Sequence, residues 1–208
     1  MKKFFLLLCA ILLMFGVAGS AGATVLTFED LPPTTWDKIE SNHPGYGGFT
    51  WADFGYINKS FALPSYPGYQ VGTRGDYAAF NWVANAEMTY GGAFDWTGAW
   101  LTSSKFEPNT VTITGYRSGA VVAAETISLG TSSAIWFDAA SYGFLGIDKL
   151  HFQTTSLQLV MDDFTFNPAP VPEPATMLLL GSGLFGIAAI GRKTFNKKGF
   201  KKVKEKSE

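Results

Sequence analysis

The chain has 208 residues and a formal net charge of −1, a balance that hides three unlike regions. Two lysines lie in the first 23 residues and eight of the 16 Lys and Arg lie from Arg192 onward, so residues 24–171 hold six basic against 14 acidic side chains, a charge near −8. So acidic a domain argues against nucleic acid, which is held by neutralising phosphates with Lys and Arg; it suits neutral sugars and divalent cations, and its 148 residues suffice for one core.

Lys2 and Lys3 precede an apolar run, Phe4–Val17, and small residues at Ala21-Gly22-Ala23. That order predicts a signal peptide over 1–23, read by the secretion machinery and cut by signal peptidase to leave Thr24 first. A retained N-terminal anchor is the alternative. The single cysteine, Cys9, follows Leu8 rather than a small residue, which argues against a lipoprotein site. Cleavage then leaves a domain without disulfide, thiol nucleophile or cysteine metal ligand.

Residues 24–167 predict an all-β domain. Short runs rich in Val, Ile, Thr and aromatics recur between turn residues: Thr24–Phe28, Gly48–Trp51, Tyr77–Val83, Glu87–Tyr90, Ala99–Ser103, Thr110–Tyr116, Ala120–Ser128, Ile135–Asp138, Ile147–Gln153 and Gln158–Phe166. Thr110–Tyr116 is the clearest, with Val111 and Ile113 on one face and Thr112, Thr114 and Tyr116 on the other. Ser118-Gly119 then turns the chain into a hairpin with the next run. No stretch carries a helical stripe beyond about two turns. Many short strands with Gly-rich turns mean a sandwich or a barrel, and a jelly-roll-like β-sandwich is the expectation.

A Pro-rich linker follows over 168–174. Pro172 and Pro174 keep Val171-Pro172-Glu173-Pro174-Ala175 extended. Ala175–Ile190 is apolar, 16 residues or about 24 Å as a helix. That is short for a bilayer, and Gly181, Gly183 and Gly186 weaken it further. A single transmembrane helix is predicted over 175–191 and a basic cytoplasmic tail over 192–208, headed by Arg192 and Lys193 and holding seven lysines. Pro172, Glu173 and Pro174, the apolar run and Arg192-Lys193 together resemble the PEP-CTERM sorting signal of bacterial envelope proteins. The resemblance implies export across the inner membrane and anchoring by the C-terminal helix. It also implies processing by an exosortase-type enzyme at the Pro-Glu-Pro motif, then residence at the cell surface or in the extracellular matrix. An ordinary anchor that is never cut is the alternative.

Phe28-Glu29-Asp30-Leu31-Pro32 near the start, Gly45–Trp51 after it and Met161-Asp162-Asp163-Phe164-Thr165-Phe166 at the end form a second layout. It is similar to that of secreted galactose-binding-like and carbohydrate-binding jelly-roll domains. In such domains, usually non-catalytic, the first and last strands often pair and many hold a structural calcium. Pairing of those strands here brings Glu29 and Asp30 toward Asp162 and Asp163. Carboxylates converging without lysine or arginine repel unless a cation joins them, and Ca²⁺ takes about 6–8 oxygen ligands. Structural Ca²⁺ is the one expected cofactor. The other reading is four strand-end carboxylates facing water.

Six tryptophans, Trp36, Trp51, Trp82, Trp96, Trp100 and Trp136, add the remaining chemistry. Sugar rings lay apolar C–H faces on Trp and Tyr while polar side chains hold their hydroxyls. Tyr66, Tyr69, Arg74 and Asp76, in one Gly/Pro-rich loop, have that mix and form the candidate glycan site. Phe49, Trp51, Phe80, Trp82, Phe137 and Phe152 lie in strand-like runs and are expected in the core. Catalysis is not expected. His43 precedes Pro44-Gly45 in a turn, His151 alternates in a strand, and the sequence holds no Gly-x-Ser-x-Gly or His-Glu-x-x-His motif and no phosphate loop. The expected function is binding of exopolysaccharide or another envelope glycan. The alternatives are a structural matrix protein without a small ligand, and a glycan-active enzyme using a carboxylate pair drawn from Glu29, Glu87, Asp138 or Asp162.

Overall fold

The computed structural model describes residues 22–61, 64–156 and 158–169. Nearly all of the predicted signal peptide, and the sorting motif, apolar segment and basic tail, lie outside the described residues. No described helix is long and apolar enough to cross a membrane. Among the described residues eleven strands form: β1 (Thr24–Leu26), β2 (Trp36–Lys38), β3 (Phe49–Ala52), β4 (Phe54–Asn58), β5 (Tyr77–Asn81), β6 (Asn85–Ser103), β7 (Asn109–Arg117), β8 (Ala120–Leu129), β9 (Ile135–Asp138), β10 (Ile147–Thr154) and β11 (Leu159–Pro168). Two short helices, α1 (Ile39–Asn42) and α2 (Gly68–Gly72), interrupt them.

Every pairing is antiparallel, and the hydrogen-bonded path runs β2-β4-β5-β11-β6-β10-β7-β8. β6 is the hinge of the architecture. Its first half pairs with β3 (Phe49↔Tyr90 to Ala52↔Glu87) and β10 (Leu150↔Met88), and its second half with β11 (Met161↔Leu101) and β9 (Phe137↔Ala99). Phe54 of β4 and Phe152 of β10 lie four strands apart along that path, roughly 19 Å in a flat sheet at about 4.8 Å per strand. Their rings are nevertheless 5.7 Å apart. The sheet is therefore folded over β6 into two facing layers, the β-sandwich expected from the turn-separated strands.

Between the layers lies an aromatic core. Trp96 stacks on Phe164 (5.4 Å, 17°) and meets Phe144 and Phe152 edge-on. Phe49 contacts Phe94, Phe164 and Phe166 edge-on. These rings are wholly or almost wholly buried, and truncating one such ring costs about 3–5 kcal/mol. Packing of this kind holds together a domain in which no disulfide can form.

The β7–β8 hairpin forms as predicted. Ser118 (φ 49°) and Gly119 (φ 81°) both take positive φ, as the mirror-image two-residue turn requires. Val111 and Ile113 are buried and Thr112, Thr114 and Tyr116 half-buried. β1 also pairs with β11, through Thr24↔Phe166 and Leu26↔Phe164. The structure corrects two points. Glu87–Tyr90 and Ala99–Ser103, predicted as separate strands, are parts of β6, and β2 and β4 were not predicted.

Candidate functional site

In the β4-β5-β11 layer, strand alternation sends Phe54, Tyr56 and Ala79 into the sandwich core and Ile57, Ala78, Phe80 and Val160 to its outer face. There they form a second apolar cluster with Tyr69 of α2, against which Tyr66 and Trp82 pack. The Gly68 amide of α2 bonds the Ser104 carbonyl at 2.9 Å, holding the helix to the end of β6.

Beside the helix a cleft of about 230 Å³ stays open. Tyr69, Phe80 and Ile57 line its depth, and Trp36, Tyr66, Trp82 and Gln158 complete the lining. Trp36 is 46% exposed and stands edge-on to Trp82 at 4.7 Å. Trp82 in turn packs on Phe80 (4.8 Å), and Phe80 on Tyr69 (5.6 Å). Trp82 can lie down because the residue beneath it is Gly55: a Cβ there would meet Trp82 Cζ2 at 2.9 Å. Lys38 Nζ lies 5.6 Å from the centre of a Trp82 ring and Lys105 Nζ 4.9 Å from that of Tyr66. Burial raises the Tyr69 hydroxyl pKa, so the group stays neutral. Gln158 is held at φ 75°, its Oε1 accepting from Ser104 Oγ at 3.1 Å. Aromatic faces beside an amide suit the stacking and hydrogen bonding of a sugar.

Of the four residues predicted to bind glycan, the cleft takes two. Tyr66 is on its wall and Tyr69, almost fully buried, is part of its floor. Arg74 instead stacks on Trp100, 4.2 Å from the ring centre, and Asp76 pairs with Lys59 at 3.1 Å. Trp36, Ile57, Phe80, Trp82 and Gln158 are the lining residues that sequence reasoning did not assign to the site. The register Trp36↔Ile57 seats β2 on the cleft's edge, and Trp82, expected in the core, belongs to the outer cluster.

The four predicted calcium ligands lie around the β1–β11 seam but are engaged differently. Glu29 Oε1 accepts the amides of Asp76 (2.7 Å) and Tyr77 (2.9 Å). Asp30 Oδ1 accepts from the Tyr46 hydroxyl at 2.7 Å. Asp162 is 1% exposed; its Oδ2 accepts the Arg74 amide (2.6 Å) and its Oδ1 the Asp163 amide (2.7 Å). Burial pushes the Asp162 pKa up to about 7, opposed by those two amides and reinforced by the charges of Asp163 and Glu29. Asp163, at φ 49°, is also raised by burial, with Arg74 pulling the other way. The seam therefore contains an arginine, contrary to the expectation of carboxylates alone. Among the described residues no group of three or more acidic, histidine or cysteine side chains is placed to hold a metal ion.

Sequence and fold comparisons complete the picture. Residues 170–193 match the PEP-CTERM protein-sorting motif. The chain carries a PEP-CTERM signal. That signal implies export, envelope or surface association and an exosortase-type processing partner. No curated protein matches the chain. Among solved structures, a DUF4465 family protein from Bacteroides caccae aligns with TM-score 0.55 and 15% identity over 71% of this chain and 99% of its own. TmCBM61, solved with beta-1,4-galactotriose, aligns at 0.37 and 12% over 64% and 99%. The family 11 carbohydrate-binding module of a Clostridium thermocellum cellulosomal cellulase aligns at 0.32 and 11% over 74% and 99%. At such identities the likeness to the Bacteroides protein is one of fold.

Proposed function

We propose that this PEP-CTERM protein is a surface-associated, non-catalytic glycan-binding module, with polysaccharide held in the cleft of Trp36, Tyr66 and Trp82. The observation that carries the reading is the half-exposed Trp36 set edge-on to Trp82 above an aromatic floor. Trp51 and Trp96, by contrast, are spent on the core. The described lining offers rings and one amide, with no carboxylate pair, histidine or nucleophile to perform hydrolysis. His43 is engaged elsewhere, 3.3 Å from Asp37 and edge-on to Tyr56. Exopolysaccharide of the cell envelope is the ligand proposed, with the apolar segment 175–191 as membrane anchor before processing.

The test is affinity electrophoresis of the full-length chain in mild detergent through gels holding a panel of polysaccharides. Retention by at least one polymer, weakened about tenfold or more in Trp36→Ala, supports the reading; no retention by any polymer, or retention indifferent to Trp36, refutes it.

A structural matrix role is the second reading, favoured by one feature. The edge strand β8 exposes Val121 (61%) and Val122 (44%) beside an unpaired row of main-chain groups. Concentration-dependent self-association without glycan binding would select it. Calcium stays a proposal for the β1–β11 seam, with no more than two of Glu29, Asp30, Asp162 and Asp163 on any one ion and main-chain or water oxygens completing its shell.

A further inference from the structure

Residues 24–171 carry 14 acidic side chains and only six basic ones, yet the cleft reverses that balance. None of the described lining residues is acidic. Two of the six cations, Lys38 and Lys105, instead lie against its aromatic walls, on Trp82 and Tyr66 respectively. Lys105 has no carboxylate within 4.0 Å among the described residues. Lys38 has one, Glu40 at 3.6 Å, and that carboxylate is itself tied to the Asp53 amide through Oε2 at 2.6 Å. From two ammonium groups a neutral polymer gains only hydrogen bonds to its hydroxyls, whereas an acidic one gains opposite charge as well. In a domain of net negative charge, this aromatic cleft is a face where an acidic polymer meets cations and no acidic lining residue.

We infer that the cleft is selective for acidic polysaccharide, its rings stacking on Trp36 and Tyr66 and its carboxylates meeting Lys38 and Lys105. This rests on the cleft being the glycan site. Because both ammonium groups are solvent-accessible, their contribution is modest singly and screened by salt. It acts on which polymer is held, while the aromatic rings decide whether any is held.

The experiment compares polygalacturonate with the same polymer after carboxyl reduction, using the full-length chain in mild detergent at about 50 mM and about 500 mM NaCl. Variants Lys38→Gln, Lys105→Gln, their double and Trp36→Ala are run alongside, each checked for an unchanged melting temperature. Expected is tighter retention by the acidic polymer, reduced about 3-fold by each lysine change and about 10-fold by both and by high salt. The reduced polymer should be indifferent to salt and lose less than about 2-fold with either lysine change. Equal retention of both polymers, lost only in Trp36→Ala, overturns the charge selectivity and leaves the cleft as a glycan site. Retention of neither polymer, or retention that survives Trp36→Ala, overturns both.

Discussion

Asp162→Asn isolates the one deeply buried carboxylate among the described residues. In the native domain the side chain is 1% exposed, and its pKa rises from the ordinary 3.8 to about 7. At about 1.4 kcal/mol per tenfold change in proton affinity, the difference corresponds to an upper limit of about 4 kcal/mol. The sign follows from which state ionises first. Below about pH 4 the carboxyl is protonated in both states and costs nothing. Between about pH 4 and pH 7 the unfolded chain ionises while the native domain keeps its proton, so stability falls as pH rises, then levels off. Asparagine cannot ionise and removes that slope. Like the protonated acid, it leaves one of the Arg74 and Asp163 amides poorly paired, so the variant should lie closest to the parent near pH 4. The assay is urea denaturation of the full-length chain in mild detergent with EDTA, at half-unit steps from pH 4 to 8, followed by tryptophan fluorescence. A parent-minus-variant difference that is constant across pH 4–7 would refute the assignment of a raised pKa to this burial.

Repeating that series with millimolar calcium in place of EDTA tests the proposed cation: bound calcium should raise the parent's urea midpoint above pH 7 and leave Asp162→Asn unchanged, and a null result for both removes it. Phe164→Ala should lower the unfolding free energy by about 3–5 kcal/mol, read from the urea midpoint, because Phe164 stacks on Trp96 and touches Phe49 in the core; a loss below about 1 kcal/mol would contradict that packing. In the β7–β8 turn, Gly119→Ala should cost about 1 kcal/mol at φ 81°, whereas Ser118→Asn should be neutral or stabilising by a few tenths, both measured by thermal melts.

The hairpin and the β1–β11 seam were legible because their signals are local or terminal. Strict alternation in Thr110–Tyr116 fixes which face is buried, and Ser118-Gly119 names the turn. β4 escaped because both its faces are covered: Phe54 and Tyr56 meet the core, and Ile57 meets the outer cluster. A strand buried on two sides loses its period-two pattern. β2 has three residues, too few to show any period. The interior of β6 was broken in two by Gly91-Gly92, a pair that reads as a turn yet lies within one strand. The cleft failed for a related reason. Tyr66 and Arg74 are near in sequence and so were grouped, but Trp36, Trp82 and Lys105 arrive from β2, the end of β5 and the loop after β6. Only inter-strand register brings them together.

The pairing of β1 with β11 also sets a schedule. A chain threaded across a membrane from its N-terminus delivers Thr24 early and Phe166 late, and the two must meet before the layer is complete. Contacts between the extremes of a chain are the slowest to form, so β1 must wait, unpaired and exposed, while some 140 residues follow it. Its partner strand ends at Pro168 and the sorting motif begins at residue 170. The last segment needed to finish the domain and the sorting signal therefore emerge almost together, and the slow closure of β1 on β11 begins only when that signal is already reaching the exported side.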